Sequence, residues 1–254
     1  MTYRAGIDIG SVTTKCVIAK ESQIVSSAIA RSGTDTEQTA EFVFAEALKT
    51  AGLSASDIKE IVSTGYGRRL FKKADRVVTE ISAAAKGAWL LDGKKDCLVL
   101  DVGGQDTKVI EIDAAGEVSD FLMNDKCAAG TGRFLELMSH VFGTDLEGIS
   151  KLAEGSSGAV KINSTCSVFA ESEVVSLIAS AAAKEDIAAG IFDAIASRIF
   201  SMIRQFDKRD CVLFCGGGAK SAALRKAVAK ASGKEIVVLP DPQFVVAFGA
   251  TQKY

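Results

Sequence analysis

The chain contains one eight-residue pattern twice, Asp-x-Gly-x-x-x-Thr-Lys, which begins at Asp8 and again at Asp101. Each copy follows an apolar run that ends at the aspartate, and each leads into a second apolar run. This arrangement predicts a strand, a tight turn and a second strand. Glycine lets the backbone approach an anion and point N–H groups at it. The repeat therefore predicts a two-lobed fold with a nucleotide held in the cleft between two such turns.

The periodicity around each copy of the pattern predicts the same order of elements. Three hairpin-connected strands are expected over 3–30 and again over 97–123, each set followed by helices. Helices are predicted at 36–51, 79–91, 131–142, 145–153, 168–182, 185–206, 220–231 and 243–251, and further strands at 58–63, 211–215 and 236–239. We therefore predict an α/β fold of the duplicated actin, hexokinase and Hsp70 group (ASKHA, ribonuclease H-like). Its first lobe is expected to comprise 1–93 plus 241–254, and its second lobe 94–240.

Bulk composition limits the partners that the chain is expected to have. The formal net charge of −2 gives no basic footprint for nucleic acid, and no apolar stretch reaches the roughly 18 residues of a membrane helix. No signal peptide precedes the first strand, so we expect a cytoplasmic protein. Its six cysteines then lie in a reducing compartment and contain no Cys-x-x-Cys pair. Of these, Cys16, Cys97 and Cys211 are predicted to be core residues.

The first turn offers hydroxyl donors at Ser11, Thr13 and Thr14, beside a lysine whose role the sequence leaves open. Lys15 is placed either to reach a phosphate or to point to solvent. Asp8 is a natural water-mediated carboxylate for Mg²⁺, which keeps several waters and takes few protein ligands. The alternative for this aspartate is that it only caps its own turn.

The second turn, Gly103 and Gly104 followed by Gln105 and Asp106, predicts phosphate binding of the same kind. Asp101 has the same two alternatives as its counterpart in the first copy. Gln105 and Asp106 are candidates to position the water that attacks the γ-phosphate, because phosphoryl transfer is mostly positioning and charge neutralisation. The alternative is that Gln105 hydrogen-bonds only its own turn. We count both aspartates, Gln105 and Asp106 as the catalytic candidates.

A third glycine-rich stretch, Gly216, Gly217 and Gly218, stands between a predicted strand and a predicted helix. Backbone without side chains packs flat against a base or sugar, and the start of a helix favours negative charge. The chain contains neither the GxxxxGK[ST] phosphate loop nor a GxGxxG after its first strand. The sequence therefore disfavours a P-loop ATPase and a dinucleotide-binding fold.

Two cysteines, Cys127 and Cys166, stand just ahead of predicted helices. Partial positive charge at a helix start stabilises a thiolate, so catalytic, redox and metal-ligating roles are all open. A four-iron cluster needs four thiolates, and a symmetric dimer would supply them from two per chain. The alternative at this point is that both cysteines are buried structural residues.

Taken together, these features resemble the activator components of 2-hydroxyacyl-CoA dehydratases, a group within the family of ATPase subunits shared with benzoyl-CoA reductases. The resemblance covers nearly the whole chain, and its two cysteine motifs are absent from general sugar kinases. The motifs that carry it are GIDIGSVTTK (6–15), STGYGRR (63–69), DVGGQDTK (101–108), NDKCAAGTGRF (124–134), INSTCSVFAESEV (162–174), CGGGA (215–219) and PDPQFVVAFGA (240–250).

The resemblance implies a homodimer with one [4Fe-4S] cluster, held by Cys127 and Cys166 of each subunit. It implies ATP/ADP and Mg²⁺ as further cofactors, and a ferredoxin or flavodoxin as electron donor. ATP hydrolysis would drive one electron to a 2-hydroxyacyl-CoA dehydratase component. The family's nucleotide contacts correspond here to Ser11, Val12, Thr13, Thr14, Lys15, Gly103, Gly104, Gln105, Asp106, Gly216, Gly217, Gly218 and Gln243.

Three other functions are compatible with the same fold. A sugar or metabolite kinase would need a carboxylate base and gives no role to the two cysteines. A non-enzymatic ATP-gated scaffold of the actin or Hsp70 type would make both cysteines dispensable. An ATPase that serves a benzoyl-CoA reductase or a double-cubane cluster protein would keep the mechanism and change the partner.

Overall fold

A computed structural model describes residues 2–92, 97–163, 166–206 and 209–252 of the chain. Within these ranges the strands are β1 (Tyr3–Ile9), β2 (Thr13–Lys20), β3 (Gln23–Arg31), β4 (Ile58–Thr64), β5 (Arg76–Val77), β6 (Leu98–Val102), β7 (Thr107–Ile112), β8 (Val118–Asn124), β9 (Cys211–Cys215) and β10 (Glu235–Val238). The helices are α1 (Thr36–Ala51), α2 (Glu80–Leu91), α3 (Gly132–Val141), α4 (Leu146–Glu154), α5 (Ser167–Ala179), α6 (Lys184–Ile203), α7 (Ala222–Ser232) and α8 (Val245–Ala250).

The chain divides into two compact units. The first unit is made of residues 1–99, 110–121 and 239–254, and the second of residues 100–109 and 122–238. The predicted junction between lobes at 93–94 lies outside the described residues, so the lobe boundaries expected from the sequence stay a prediction. None of the described helices is both long and apolar enough to cross a membrane.

The two five-stranded sheets have the same strand order, which confirms the duplicated α/β fold. One sheet runs β3-β2-β1-β4-β5, and the other runs β8-β7-β6-β9-β10. In the first sheet β1 pairs antiparallel with β2 and parallel with β4. This register places Asp8 opposite Lys15 on one side and beside Thr64 on the other. The aspartate of the repeated pattern therefore stands where a hairpin strand and a parallel strand meet its own strand.

Helix α1 shows how local sequence sets the elements that cover the first sheet. The Asp35 side chain accepts a hydrogen bond of 2.9 Å from the Gln38 backbone N–H and so caps the helix start. Gly52 ends the helix in the left-handed region at φ 66°. An apolar stripe of this helix, with Val43 and Ala47 fully buried, packs on the core beneath β1 and β2. The predicted span 36–51 is confirmed.

Most predicted elements are present, with end shifts of a few residues and two clear differences. The two-residue strand β5 was not predicted, because it is defined by parallel pairing with β4 and carries no apolar alternation of its own. The helix expected at 220–231 begins later, at Ala222, after a 3₁₀ turn over Gly217–Lys220. Ser221 sets this later start, since its hydroxyl accepts from the Leu224 N–H at 3.1 Å.

Candidate nucleotide and cysteine sites

The first repeated turn is closed by its own backbone and backed by an ion pair. The Gly10 N–H donates to the Thr13 carbonyl at 3.2 Å, and a Cβ atom on Gly10 would lie 2.8 Å from that same oxygen. Lys15 Nζ lies 3.0 Å from the buried Asp8 carboxylate. The alternative in which Lys15 points to solvent is therefore wrong. Its charge stands behind the turn, where it neutralises the aspartate.

The second turn repeats this arrangement with one further carboxylate. The Gly103 N–H donates to the Asp106 carbonyl at 2.9 Å. Lys108, which is 3% exposed, lies 2.7 Å from Asp106 Oδ1 and 3.6 Å from Asp101 Oδ2. Lys108 was not among the predicted site residues, although it is the last residue of the repeated pattern. Each unit thus carries a glycine turn with a lysine and an aspartate directly behind it.

A glycine at the end of the neighbouring strand packs against each aspartate. Gly65, after β4, packs against Asp8, and Gly216, after β9, packs against Asp101. Gly65 has φ 89°, and a Cβ atom on it would lie 2.6 Å from the Ile9 carbonyl oxygen. Gly216 has φ 82°, and a Cβ atom on it would lie 2.5 Å from the Val102 carbonyl oxygen. No L side chain fits either position without strain. The predicted stretch at 216–218 therefore has a counterpart at 65–67, which the sequence analysis did not identify as part of the site.

The polar residues of the turns differ in burial and in hydrogen bonding to other residues of the protein. The Thr14 hydroxyl is buried and lies 2.9 Å from Ser32 Oγ. Ser11 is exposed, and Gln105 is exposed without a hydrogen-bond partner among the described residues. The role of Gln105 in positioning the attacking water stays a prediction. Gln243 is half-buried in the first unit, just before α8.

A buried polar atom at the end of β4, next to Asp8, suits a hydrated cation. Thr64 is fully buried beside Asp8, and its Oγ1 has no hydrogen-bond partner among the described atoms. A buried hydroxyl of this kind costs free energy unless water or a ligand satisfies it. Mg²⁺ retains much of its water shell, so a hydroxyl and a carboxylate side by side could hold it through water molecules. The donor set at Asp8 and Thr64 is therefore compatible with magnesium held through water.

Cys127 lies in a loop between β8 and α3 that is organised by one amide side chain. Asn124 Nδ2 donates to the Cys127 carbonyl at 2.9 Å and to the Ala129 carbonyl at 3.1 Å. The Thr131 hydroxyl donates to the Ala128 carbonyl at 2.8 Å. The thiol itself is half-buried. This loop, residues 125–131, is called the Cys127 loop below.

Cys166 is the N-cap residue of α5, and its side chain makes no capping hydrogen bond. The first N–H groups of a helix have no partner within the helix, so partial positive charge surrounds this exposed thiol. The predicted position at a helix start is confirmed for this cysteine. The same helix exposes apolar side chains at Val168, Phe169 and Val175, which are 63%, 68% and 50% exposed.

Helix α6 supports the segments next to both cysteines. The Asp186 carboxylate accepts from the Ser156 hydroxyl at 2.6 Å and from the Gly158 N–H at 3.0 Å, which anchors the approach to Cys166. On the other side, a Cβ atom on Gly130 in the Cys127 loop would lie 2.9 Å from Arg198 Cγ. A cavity of about 410 Å³ is bounded by α6, the Cys127 loop and residues 161–163, with lining residues that include Ala129, Gly130, Lys161, Ile162, Asn163 and Arg198.

The remaining cysteines are packing residues. Cys16, Cys97 and Cys215 are buried, and burial raises the pKa of the Cys16 thiol far above its ordinary value. Cys211 is half-buried in β9, so its predicted place at a strand is confirmed. Within the described residues no three metal-ligating side chains of one chain come together. Among the described residues of the second unit, Cys127 in its loop and Cys166 at a helix start are the thiols that lie outside the strands.

Sequence and structure comparisons give a consistent set of relatives. The sequence profile of the BadF/BadG/BcrA/BcrD ATPase family matches residues 5–252. The 2-hydroxyisocaproyl-CoA dehydratase activator of Clostridioides difficile is 40% identical over 98% of this chain and 93% of its own length. The activator of lactoyl-CoA dehydratase of Anaerotignum propionicum is 39% identical over 98% of this chain and 95% of its own length.

Solved structures agree with these relatives. The activator of the 2-hydroxyisocaproyl-CoA dehydratase from Clostridium difficile, solved with bound ADPNP, superposes with a TM-score of 0.94 at 39% identity. That match covers 98% of this chain and 93% of the other chain. A ROK family glucokinase from Streptomyces griseus superposes with a TM-score of 0.59 at 12% identity, over 98% of each chain. At that identity the likeness concerns the fold alone, and it agrees with the predicted actin and hexokinase group.

Proposed function

Because the chain belongs to the BadF/BadG/BcrA/BcrD ATPase family, we propose that it is an ATP-dependent activator of a 2-hydroxyacyl-CoA dehydratase that delivers one electron per step. One observation carries this proposal: a phosphate-type turn at Gly103–Asp106 and the thiols of Cys127 and Cys166, which are not buried in the core, belong to the same unit. A kinase of this fold needs the turn and has no use for the thiols.

In this proposal the glycine turns are the phosphate-binding elements, and each offers its backbone N–H groups to anionic oxygens. Lys15 and Lys108 stand behind the turns, where their charge offsets the buried aspartates and adds to the attraction for anionic oxygens. Mg²⁺ would be held through water by Asp8 and Asp101. Gln105, which is exposed and has no partner among the described residues, orients the attacking water, and Asp106 positions the turn. Hydrolysis converts ATP and water to ADP and phosphate.

We propose further that Cys127 and Cys166 of two subunits hold one [4Fe-4S] cluster on the two-fold axis of a homodimer. When bound, such a cluster stores and releases a single electron. The N-terminus of α5 and the positive charge of Lys161 and Arg198 near the cavity favour the net negative charge of a thiolate-ligated cluster. The exposed apolar side chains of α5, beside Cys166, supply a surface that a second copy would cover.

A ferredoxin or flavodoxin would supply the electron, and an iron–sulfur centre of the dehydratase component would receive it. The cytoplasm is the proposed compartment. The potential of a cluster held by Cys127 and Cys166 would depend on its surroundings, which ATP hydrolysis would change.

Anaerobic purification followed by iron and acid-labile sulfide analysis tests this function. We expect about four iron and four sulfide per dimer, and an electron paramagnetic resonance spectrum of the reduced protein that changes when ATP is added. The dithionite-reduced protein should also activate a 2-hydroxyacyl-CoA dehydratase only in the presence of ATP. A colourless monomer that phosphorylates a sugar would instead identify a metabolite kinase.

A further inference from the structure

We propose that Thr107 and Gly132 are positioning residues that couple the second phosphate turn to the Cys127 loop. Three hydrogen bonds, all within the second unit, join these two segments directly. This inference rests on the proposed function and adds to it the residues through which the state of the nucleotide reaches a cluster-ligating cysteine.

The first connection is a buried hydroxyl. Thr107 is the first residue of β7 and directly follows Gln105 and Asp106 of the turn. Its side chain is fully buried, and its Oγ1 donates to the Gly130 carbonyl at 2.6 Å. A short hydrogen bond inside the protein is not weakened by competing water. Any shift of the turn that moves the start of β7 therefore acts on Gly130 in the Cys127 loop.

The other two connections are made by the backbone at the start of α3. The Gly132 N–H donates to the Gly103 carbonyl at 2.9 Å, and the Arg133 N–H donates to the Gly104 carbonyl at 2.7 Å. The first N–H groups of a helix normally lack partners, and here the carbonyls of the phosphate turn satisfy them. A Cβ atom on Gly132 would lie 2.8 Å from Gly103 O. Only glycine allows the helix start to approach the turn this closely.

The Cys127 loop is braced so that a displacement at one end reaches the thiol. Asn124 ties the carbonyls of Cys127 and Ala129 together, and Thr131 ties its own position to Ala128. Gly130 and Gly132, which receive the connections from the turn, lie at the end of this braced segment. The loop therefore moves as one rigid segment. A contact between a phosphate and Gly103 or Gly104 then changes the position of Cys127.

The first unit offers an internal comparison. Thr14 occupies the position of Thr107 in the repeated pattern and is equally buried. Its hydroxyl lies 2.9 Å from Ser32 Oγ, which donates to the Gly10 carbonyl at 2.6 Å. This network closes the first turn on itself and reaches no cysteine loop. Thr14 and Thr107 thus each hold the segment that follows the third strand of their hairpin set. Only the segment held by Thr107 contains a cysteine.

The test measures the rate at which Cys127 of the full-length, anaerobically purified protein reacts with iodoacetamide, by peptide mass spectrometry. Rates are compared with and without ADPNP and Mg²⁺, while Cys211 in β9 on the same protein serves as an internal reference. The variants are Thr107→Val, which keeps the shape and removes the hydroxyl, and Thr107→Ser, which restores it. Thr251→Val is the matched control in the first unit, since Thr251 is also buried and its hydroxyl donates to a backbone carbonyl, that of Phe248, at 2.7 Å. Calorimetric titration gives the ADPNP affinity of each protein.

We expect ADPNP to change the Cys127 rate of the wild-type protein by about fivefold or more, the usual lower range of a coupling between two sites. Thr107→Val should still bind ADPNP but lose most of this response, since one net hydrogen bond corresponds to a factor of about five in an equilibrium. Thr107→Ser and Thr251→Val should retain the response. The electron paramagnetic resonance spectrum of Thr107→Val should no longer change when nucleotide is added, although its iron content is unchanged. That result would support the inference.

A Thr107→Val protein that binds ADPNP and keeps the full Cys127 response overturns the inference. So does a wild-type protein that binds ADPNP and shows no response, and in that case the iron content and resonance spectrum still test the proposed function separately. A wild-type protein that neither binds ADPNP nor holds iron overturns both. Gly132→Ala gives an independent check, because its Cβ atom should push the turn away and lower ADPNP affinity along with the response.

Discussion

A side chain at Gly65 would collide with the carboxylate of Asp8, since a Cβ atom there would lie 2.5 Å from Asp8 Oδ1. The left-handed backbone at Gly65, φ 89°, adds a second reason for glycine. Asp101 stands against Gly216 in the same way in the second unit. Each aspartate of the repeated pattern is thus fixed by its lysine on one side and by a glycine at the end of the parallel strand on the other.

Gly65→Ala should lower the affinity for ATP by about tenfold or more, because the new methyl group displaces Asp8 and the turn that follows it. The matched control is Gly52→Ala, which has a similar positive φ of 66° and nothing within 4 Å of the new atom. That control should cost only the backbone strain of about 1 kcal/mol in unfolding free energy. Calorimetric ATP binding and chemical unfolding of both variants measure the two effects. Equal ATP affinities would show that the contact with Asp8 has no role in binding.

Lys15→Met should destabilise the protein by about 1–3 kcal/mol, because it leaves the Asp8 carboxylate buried without its charged partner. The double variant Lys15→Met with Asp8→Asn should recover part of that loss. Lys49→Met removes an exposed lysine whose pair with Glu46 spans 3.9 Å. It should change stability by less than about 0.5 kcal/mol. Urea unfolding at neutral pH distinguishes these outcomes, and a stable single variant would contradict the proposed role of the pair.

Cys127→Ser and Cys166→Ser should each give a protein that forms dimers but does not retain iron, because either change removes two of the four proposed thiolate ligands from the dimer. Cys211→Ser is the control, since this cysteine lies in β9 and is proposed to have only a packing role. Iron and sulfide analysis with size measurements in solution gives the result. Brown, iron-replete protein from either of the first two variants would rule out the ligand set.

The hydrogen bonds between Asp186 and residues 156–158, the segment that leads to Cys166, should be lost at low pH. Hydrogen bonds from the Ser156 hydroxyl and from the Gly158 and Ser157 N–H groups lower the pKa of Asp186. A carboxyl group whose pKa is lower in the folded protein stabilises it above the pKa of the unfolded chain, about 3.9. The anchor is therefore intact at neutral pH and is lost as pH falls below about 4 and through the pKa of the folded state.

Asp186→Asn should mimic this loss at neutral pH and speed hydrogen exchange at the Ser157 and Gly158 amides. Asp193→Asn, on the same helix, is the matched control because its partner Lys230 is an exposed side chain at 3.0 Å. It should leave those amides unchanged. Hydrogen exchange with mass spectrometry reports both variants, and unchanged protection in Asp186→Asn would show that the carboxylate does not hold the segment.

The features predicted from sequence are those carried by local pattern. The repeated turns, the duplicated order of strands and the helix start after Cys166 are all visible as periodicity and residue type over short windows. The pairing of β5 was missed because its partner strand, β4, is separated from it in the chain. Lys108 was missed for another reason: its partners Asp101 and Asp106 are near in sequence, but its burial and its ion pairs are visible only in the folded structure. Gly65 lay within a motif of the family resemblance, but only the packing on Asp8 reveals its equivalence to Gly216.

The connection after the third strand holds a short return from Ser32 to Asp35 in one half of the molecule and the Cys127 loop in the other. The turn and its threonine are alike in the two halves, so the difference between them lies in the segment that the threonine holds. A substitution that loosens the threonine at position 14 is therefore expected to disturb only its own hairpin. The equivalent substitution at position 107 is expected to release a segment that contains a thiol.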